Sequence, residues 1–281
     1  MRSFAKCVLL CFIVAGLAGC ATSPQLAGFD RAHAGTPVKM LVLEAPMTVD
    51  RGRLRAVLAP NLKVQTAAAD ESIVSGEQHA QAYALAAMES ALNGRTGFSV
   101  LAPGAENGTL LDKIRADSLA ENITQQEADQ LHAATGADAL LRFDITDYGM
   151  TPHAWRKGYV TFEVASTLAI AGIIAYTGST AAHAAAGAYL AQEAAEETAE
   201  GYAGFWALDV AGRPVRLEAE LVQLEPVATV WKSADTGMSD LHWSRLTGKV
   251  TAAERNRQLD QATDDAVQDV VADLSSAKRM Y

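Results

Sequence analysis

Two periods organise the hydrophobic positions of this chain. Val38 to Glu44 (VKMLVLE) follows Pro37 as an almost unbroken apolar run, which predicts a buried central strand. Residues 47–74 show no sustained period and read mainly as loop. Ser75-Gly76-Glu77-Gln78 has the form of a capping box, and Ala80, Ala84, Ala87, Met88 and Ala91 then fall on one helical stripe that Asn93-Gly94 ends. Phe98–Leu101 reads as a second strand, and Thr109 as the cap of a short helix through Leu111 and Ile114. Thr124-Gln125-Gln126-Glu127 is a second capping box, opening a helix that stops near Gly136. Ala139, Leu141, Phe143 and Ile145 alternate with Leu140, Arg142, Asp144 and Thr146, which predicts a strand with one mostly polar face.

The same logic serves the end of the chain. Val215, Leu217, Ala219 and Leu221 alternate with Arg216, Glu218 and Glu220, and Val227–Trp231 returns after a turn at Glu225-Pro226. Residues 234–250 read as loop. Thr251-Ala252-Ala253-Glu254 opens a last helix with Leu259, Ala266, Val270 and Leu274 at core spacing and Asp260, Asp264, Asp265 and Asp269 on a face expected to be solvated. The order β-α-β-α-α-β, insertion, β-β-α predicts an α+β or α/β sandwich with a mixed sheet of about five or six strands, plus an inserted Ala/Gly-rich helical hairpin. No repeat of fixed period is visible.

Charge narrows the partners. Lys and Arg number 23 against 33 Asp and Glu, a net charge of −10, so the chain has no general attraction for a phosphate backbone and nucleic acid is not expected. The first residues supply an address. Arg2 and Lys6 precede an apolar run from Cys7 to Leu17, too short to span a bilayer and suited to a signal peptide. It ends in Leu17-Ala18-Gly19-Cys20, which resembles the lipobox of bacterial lipoproteins. The resemblance implies cleavage between Gly19 and Cys20 and acylation of Cys20, with two or more acyl chains giving stable anchorage. With Ala21 where retained lipoproteins carry Asp, the resemblance also implies export to the outer membrane. Of the three cysteines, Cys7 and Cys11 leave with the signal and Cys20 carries lipid, so the mature chain has no thiol for a disulfide, a nucleophile or a metal. The mature charge is near −12 once Arg2 and Lys6 are removed. The organisation read is 1–19 signal peptide, 20–36 lipidated cysteine and flexible tether, 37–150 first part of the domain, 151–213 apolar insertion, and 214–281 the hairpin and helix that complete it.

The segments GADALLRFDITDYG (136–149) and RLEAELVQLEPVATVW (216–231) resemble periplasmic lipoproteins whose fold is similar to the amino-terminal domain of TolB, a group that includes the curli secretion lipoprotein and the activator lipoproteins of peptidoglycan synthases. The resemblance covers about 37–150 and 214–281. Pro226-Val227 stand where that group usually turns through Thr-Gly, so the turn is expected to differ. The resemblance implies binding and assembly rather than catalysis, a protein partner or homo-oligomer, and no cofactor beyond the lipid.

The insertion contains no charged side chain from Val164 to Gln192. One unbroken helix of that length would run about 43 Å, more than a hydrocarbon core of ~30 Å, so two helices bent near Gly178 are the better reading. Ile170, Gly172, Ile173, Ile174, Gly178, Ala182, Ala186 and Gly187 are its candidate interaction surface, because small residues allow close helix approach. Three readings stand: a hairpin packed on the body or between subunits, a membrane-associated element, and a pore-forming segment resembling that of the curli exporter. The last requires alternating β-hairpins, and only Tyr159–Ser166 alternates.

Catalytic patterns are sparse. There is no G-x-S-x-G elbow, H-E-x-x-H pair or G-x-G-x-x-G loop, and Thr247-Gly248-Lys249-Val250 lacks the spacing of a phosphate loop. The histidines at 33, 79, 132, 153, 183 and 242 are scattered, and Glu193, Glu196, Glu197 and Glu200 read as a solvated helix face. Asp144 and Asp147 are the candidates for an acid–base pair, against a plain reading as polar positions near a strand end. Trp155 and Trp243 could be binding anchors if exposed, but they are expected to be buried and to close the core. No metal site and no catalytic residue is assigned. The expected function is that of an outer-membrane-anchored, periplasm-facing lipoprotein with a non-enzymatic binding or assembly role; the alternatives are an oligomeric export-channel component or a periplasmic hydrolase with a dispersed site.

Overall fold

The computed structural model describes residues 35–58, 67–102, 104, 108–159, 161, 201, 203–248 and 250–279, together with residues 26, 28, 29, 32 and 33. The signal segment with Gly19 and Cys20, and the insertion surface from Ile170 to Gly187, lie outside the described residues. So do His183 and the four glutamates of 193–200.

Five strands form one mixed sheet: β1 (Val38–Glu44), β2 (Phe98–Val100), β3 (Ala139–Tyr148), β4 (Val215–Leu224) and β5 (Val227–Gly237). Their order is β2-β1-β3-β4-β5, parallel among the first three and antiparallel from β3 to β5. The helices are α1 (Arg51–Leu58), α2 (Ala67–Asn93), α3 (Gly108–Ala116), α4 (Gln125–Thr135) and α5 (Ala252–Arg279). The architecture is the expected α+β arrangement around a mixed sheet.

Each strand supplies two faces because side chains alternate. One face carries Met40, Val42, Leu141, Phe143, Leu217 and Leu221 into a core closed by Ala84 and Met88 of α2 and Val267 and Val270 of α5. The other face carries Leu41, Leu43, Leu140, Val222 and Leu224 against Ile114 of α3 and Leu131 of α4. This second core spans only the beginning of β3 and the end of β4. Beyond it the same face becomes polar, and that transition creates the groove described below. Where β4 pairs with β5 the register slips between Leu221 and Val222, leaving Val230 of β5 without an opposite residue, and Val230 and Trp231 both lie in the first core.

Several expectations need correction. The stretch read as loop contains α1, whose Asp50 accepts a hydrogen bond from the backbone N–H of Arg53 at 2.9 Å, and α2 begins eight residues before Ser75. Ser75-Gly76 therefore lies inside a helix, and Gly76 serves close packing: a Cβ there would overlap the methyl groups of Leu58. The strand β3 reaches Tyr148, and β5 continues to Gly237 through part of the stretch read as loop. At Gly237 a Cβ would overlap the backbone of Ala262 and Ala266, so α5 crosses the strand end at backbone contact. The acidic face of α5 is exposed at Asp264, Asp265 and Asp269, as expected, and it also makes surface contacts. Asp260 meets His79 at 2.9 Å, Asp264 accepts from the Tyr83 hydroxyl at 2.9 Å, and Asp265 accepts from the Met238 amide at 3.0 Å. The Tyr83 hydroxyl is pushed up to about 12 by burial and by Asp264. In the segment read as tether, Leu26 and Phe29 are 1% and 2% exposed and belong to the first core.

Candidate functional site

The polar half of the sheet is a ladder. Register places Arg142 of β3 beside Glu220 of β4, and Glu220 beside Lys232 of β5. Arg142, expected on an open polar face, is 1% exposed. Its guanidinium donates to the carbonyls of Asp117 (2.8 Å), Ser118 (2.8 Å) and Glu121 (2.9 Å), and to Glu220 Oε1 at 3.3 Å. The connection after α3 thus folds over the sheet because one arginine collects its free carbonyls. The other oxygen of Glu220 lies 3.0 Å from Lys232 Nζ. A buried carboxylate held by two cations is a satisfied group, not one free to react.

One step along the ladder Asp144 stands opposite Glu218. Asp144 is 4% exposed and accepts from the backbone N–H of Thr48 (3.2 Å) and from its hydroxyl (2.6 Å). Burial pushes its carboxyl up to about 6, against the opposing pull of the Thr48 hydrogen bonds, and the Glu218 charge adds to the rise. A groove of about 740 Å³ opens beside these rungs. Leu119, Glu218, Glu220, Lys232 and Asp235, with Asp273 of α5, are among the residues that line it. Among the described residues β5 has no further partner strand. The groove therefore borders backbone groups of the kind that pair with an added extended segment.

The second feature is the root of the insertion. Helical residues 153–159 lead out of the body and 203–211 lead back. Thr151, fully buried, donates its hydroxyl to Asp209 Oδ1 at 2.6 Å, and its amide donates to the same oxygen. Arg156 pairs with Asp209, while its Nε donates to Thr151 O at 3.2 Å. Arg53 pairs with Asp147 and donates to Thr151 O at 2.8 Å. The two strands of chain that bound the insertion are thus locked to each other and to α1. Further out, Tyr159 meets Phe205 edge-on at 5.6 Å, and Arg156 lies 5.6 Å from the centre of the same ring. Gly201 lets the helices close, because a Cβ there would overlap the Tyr159 ring. Trp155 and Trp206 stand 40% and 54% exposed on the two root helices. This corrects the expectation that Trp155 closes the core; the side chain of Trp243 lies outside the described residues.

The proposed acid–base partners are separated. Asp144 serves Thr48, whereas Asp147 serves Arg53 and the His153 amide, and a register shift lies between Ile145 and Asp147. Each holds a different loop, as polar positions near a strand end would. Among the described residues no three His, Cys, Asp or Glu side chains gather as metal ligands, and no helix is long and apolar enough to cross a membrane.

Sequence reasoning passed over Arg142, Thr151, Asp209 and Trp206. Arg142 carried a signal, since it is a cation inside an otherwise apolar half-strand. Thr151 and Asp209 carried none, because only the fold brings them together across the insertion.

No family model matches the chain, and no curated protein matches it. Among solved structures, the chain is similar to the hypothetical protein CT253 from Chlamydia trachomatis at 10% identity, with 87% of this chain and 100% of that chain covered and a TM-score of 0.42. It is also similar to the lipoprotein GNA1162 from Neisseria meningitidis at 12% identity, with 73% and 82% covered and a TM-score of 0.33.

Proposed function

We propose that the protein is an outer-membrane lipoprotein, facing the periplasm, that acts by binding a partner or assembling with it rather than by catalysis. The observation that carries this is Leu17-Ala18-Gly19-Cys20 directly after an apolar run of signal-peptide length, with Cys20 the one thiol left after cleavage. The groove along β5 and the braced insertion root support the binding role, since both present fixed surfaces. The test has two parts. Metabolic labelling with palmitate, followed by membrane fractionation, gives a labelled outer-membrane band that Cys20→Ala abolishes. Affinity purification of the lipidated protein with native mass measurement then gives a stable hetero- or homo-complex. An unlabelled protein would overturn the anchor, and a strict monomer without a partner would overturn the assembly role.

A further inference from the structure

Strand alternation fixes where the backbone of β5 points. Phe143 O accepts from the Ala45 amide at 2.7 Å, on the β1 side of β3. Its neighbours Arg142 and Asp144 therefore turn their N–H and C=O groups toward β4. Glu220 and Glu218, opposite them, turn theirs back to β3, and Lys232 and Ala234, opposite those, turn theirs away from the sheet. Thr236 follows by the same alternation, and its amide donates to the side chain of its own neighbour, Asp235 Oδ1, at 3.3 Å. Among the described residues no other strand or loop bonds the backbone of Lys232 or Ala234. The bulge at Val230 bounds this open stretch at one end, and the crossing of α5 at Gly237 bounds it at the other.

The groove lies over the same stretch. Lys232 and Ala234 share a face with Glu220 and Glu218, whereas Ser233 and Asp235 stand opposite Ala219 and Leu217 of the first core. Lys232, Ser233, Ala234 and Asp235 all line the one groove, so it takes in both faces of the strand and passes over its edge. Its charge is one-sided. Among the described lining residues Glu218, Glu220, Asp235 and Asp273 are acidic, and Lys232 alone is basic. Lys232 is engaged by Glu220, and the nearby Arg216 by Glu218 at 3.5 Å. Burial holds the Asp235 carboxyl above its ordinary value against the pull of the Thr236 amide and Arg216, and the charges of Asp273 and Asp265 add to the rise. Two copies joined edge to edge through β5 would bring these carboxylates together, in a chain of net charge −10. The edge therefore disfavours its own copy and suits a segment of opposite sign.

We infer that β5 takes an extended basic segment of a partner protein as a sixth strand, bonded to the outward groups of Lys232 and Ala234, with Lys or Arg side chains of that segment facing Asp235 and Asp273. Main-chain bonds supply the affinity of such an addition, and alternate side chains its selectivity. The inference rests on the binding role proposed above and names the chemistry of the partner.

The probe is a capped, fluorescent ten-residue peptide of alternating threonine and lysine, added to the full mature chain with Cys20→Ala. Anisotropy should show saturable binding, and hydrogen exchange should slow at the Lys232 and Ala234 amides. Methylating the backbone nitrogens of two adjacent central residues blocks both edges of the peptide. Ala234→Pro removes the outward N–H without touching the β4 ladder, a change that edge strands tolerate. Each should weaken binding by about tenfold or more, and the methylated peptide tests the bonds without altering the protein. Asp235→Asn with Asp273→Asn should weaken binding and flatten its salt dependence, and a threonine–glutamate peptide should not bind. A parent that binds the methylated peptide as well as the plain one would overturn the strand addition, and so would a parent that binds neither. Equal binding of the glutamate peptide would overturn the basic partner. A parent that sediments as a dimer, with Ala234→Pro a monomer, would give the edge to a second copy instead. If the complex purified from cells forms as fully with Ala234→Pro as with the parent, the binding role stands and β5 is not its site.

Discussion

Asp144 is a carboxyl whose burial works against its charge. Its folded value is about 6, above the ordinary 3.8, so between roughly pH 4 and pH 6 the folded state holds a proton that the unfolded chain has lost. Stability must therefore fall as pH rises through that window, and the full penalty stands above it. A two-unit gap corresponds to at most about 3 kcal/mol. Asp144→Asn keeps an acceptor for the Thr48 amide and removes the ionisation. The variant should be more stable than the parent at pH 7.5 and equal to it below pH 4, as read by urea midpoints across pH. A variant with the parent's pH profile would show that Asp144 is solvated. Arg142 is the opposite case, a charge whose partners are complete. Arg142→Leu orphans three carbonyls and leaves Glu220 with Lys232 alone, a loss of about 3–5 kcal/mol. Arg142→Leu with Glu220→Leu should recover part of it, which a double-mutant cycle measures. Arg142 showed itself only as a cation in an apolar half-strand, and the burial of Asp144 was not legible at all. The alternation placed both on a polar face, and only the connection after α3 and the Thr48 loop, which fold over that face, bury them.

At the scale of elements, legibility followed locality. The α4 capping box needs only neighbours in sequence, and it forms as read. Thr124 Oγ1 accepts from the Glu127 amide at 3.3 Å, and Glu127 returns a bond to the Thr124 amide at 2.9 Å. The Ser75 box has the same letters, yet it lies within α2, because Ile73 already docks in the core two residues earlier. The β4 alternation was clear because one face is wholly apolar. The length of β5 was not, because Ala234, Asp235 and Thr236 are held by pairing with β4 and not by their own pattern. Lys113 and Thr124 hold the Glu127 carboxyl down to about 2, from an ordinary 4.5. The stability this gives is complete above pH 4.5 and is lost as pH falls toward 2. Lys113 is largely in water, so the ion pair itself is worth little and the cap carries most of the effect. Glu127→Gln should cost about 1 kcal/mol at pH 7, and the difference from the parent should close by pH 2 in thermal melts. A cost that persists unchanged at pH 2 would show that packing, not charge, is what Glu127 supplies.

For the whole molecule, the decisive feature is where the chain leaves the sheet. His33 lies near Asp138, just before β3, and Leu26 and Phe29 are packed in the first core. The insertion departs beyond Tyr148, at the other end of β3, about 30 Å away at ~3.3 Å per residue. If lipid sits on Cys20, only residues 21–25 separate it from the docked segment, a reach of at most about 18 Å. A tether free through Thr36 would reach about three times as far. The body should then ride close to the bilayer with a restricted set of tilts, so that the insertion root faces a fixed direction. Neutron reflectometry of the lipidated protein on a supported bilayer measures the height directly. The parent should form a thin, sharp protein layer near the headgroups. Leu26→Ser with Phe29→Ser removes two buried anchors, at a cost of several kcal/mol on the scale of core truncations, and frees the segment. That layer should thicken and blur by tens of ångströms while α5 and the sheet remain folded by circular dichroism. A parent layer already as diffuse as the variant's would mean that the docked segment does not hold on the membrane, and the fixed direction of the insertion root would go with it.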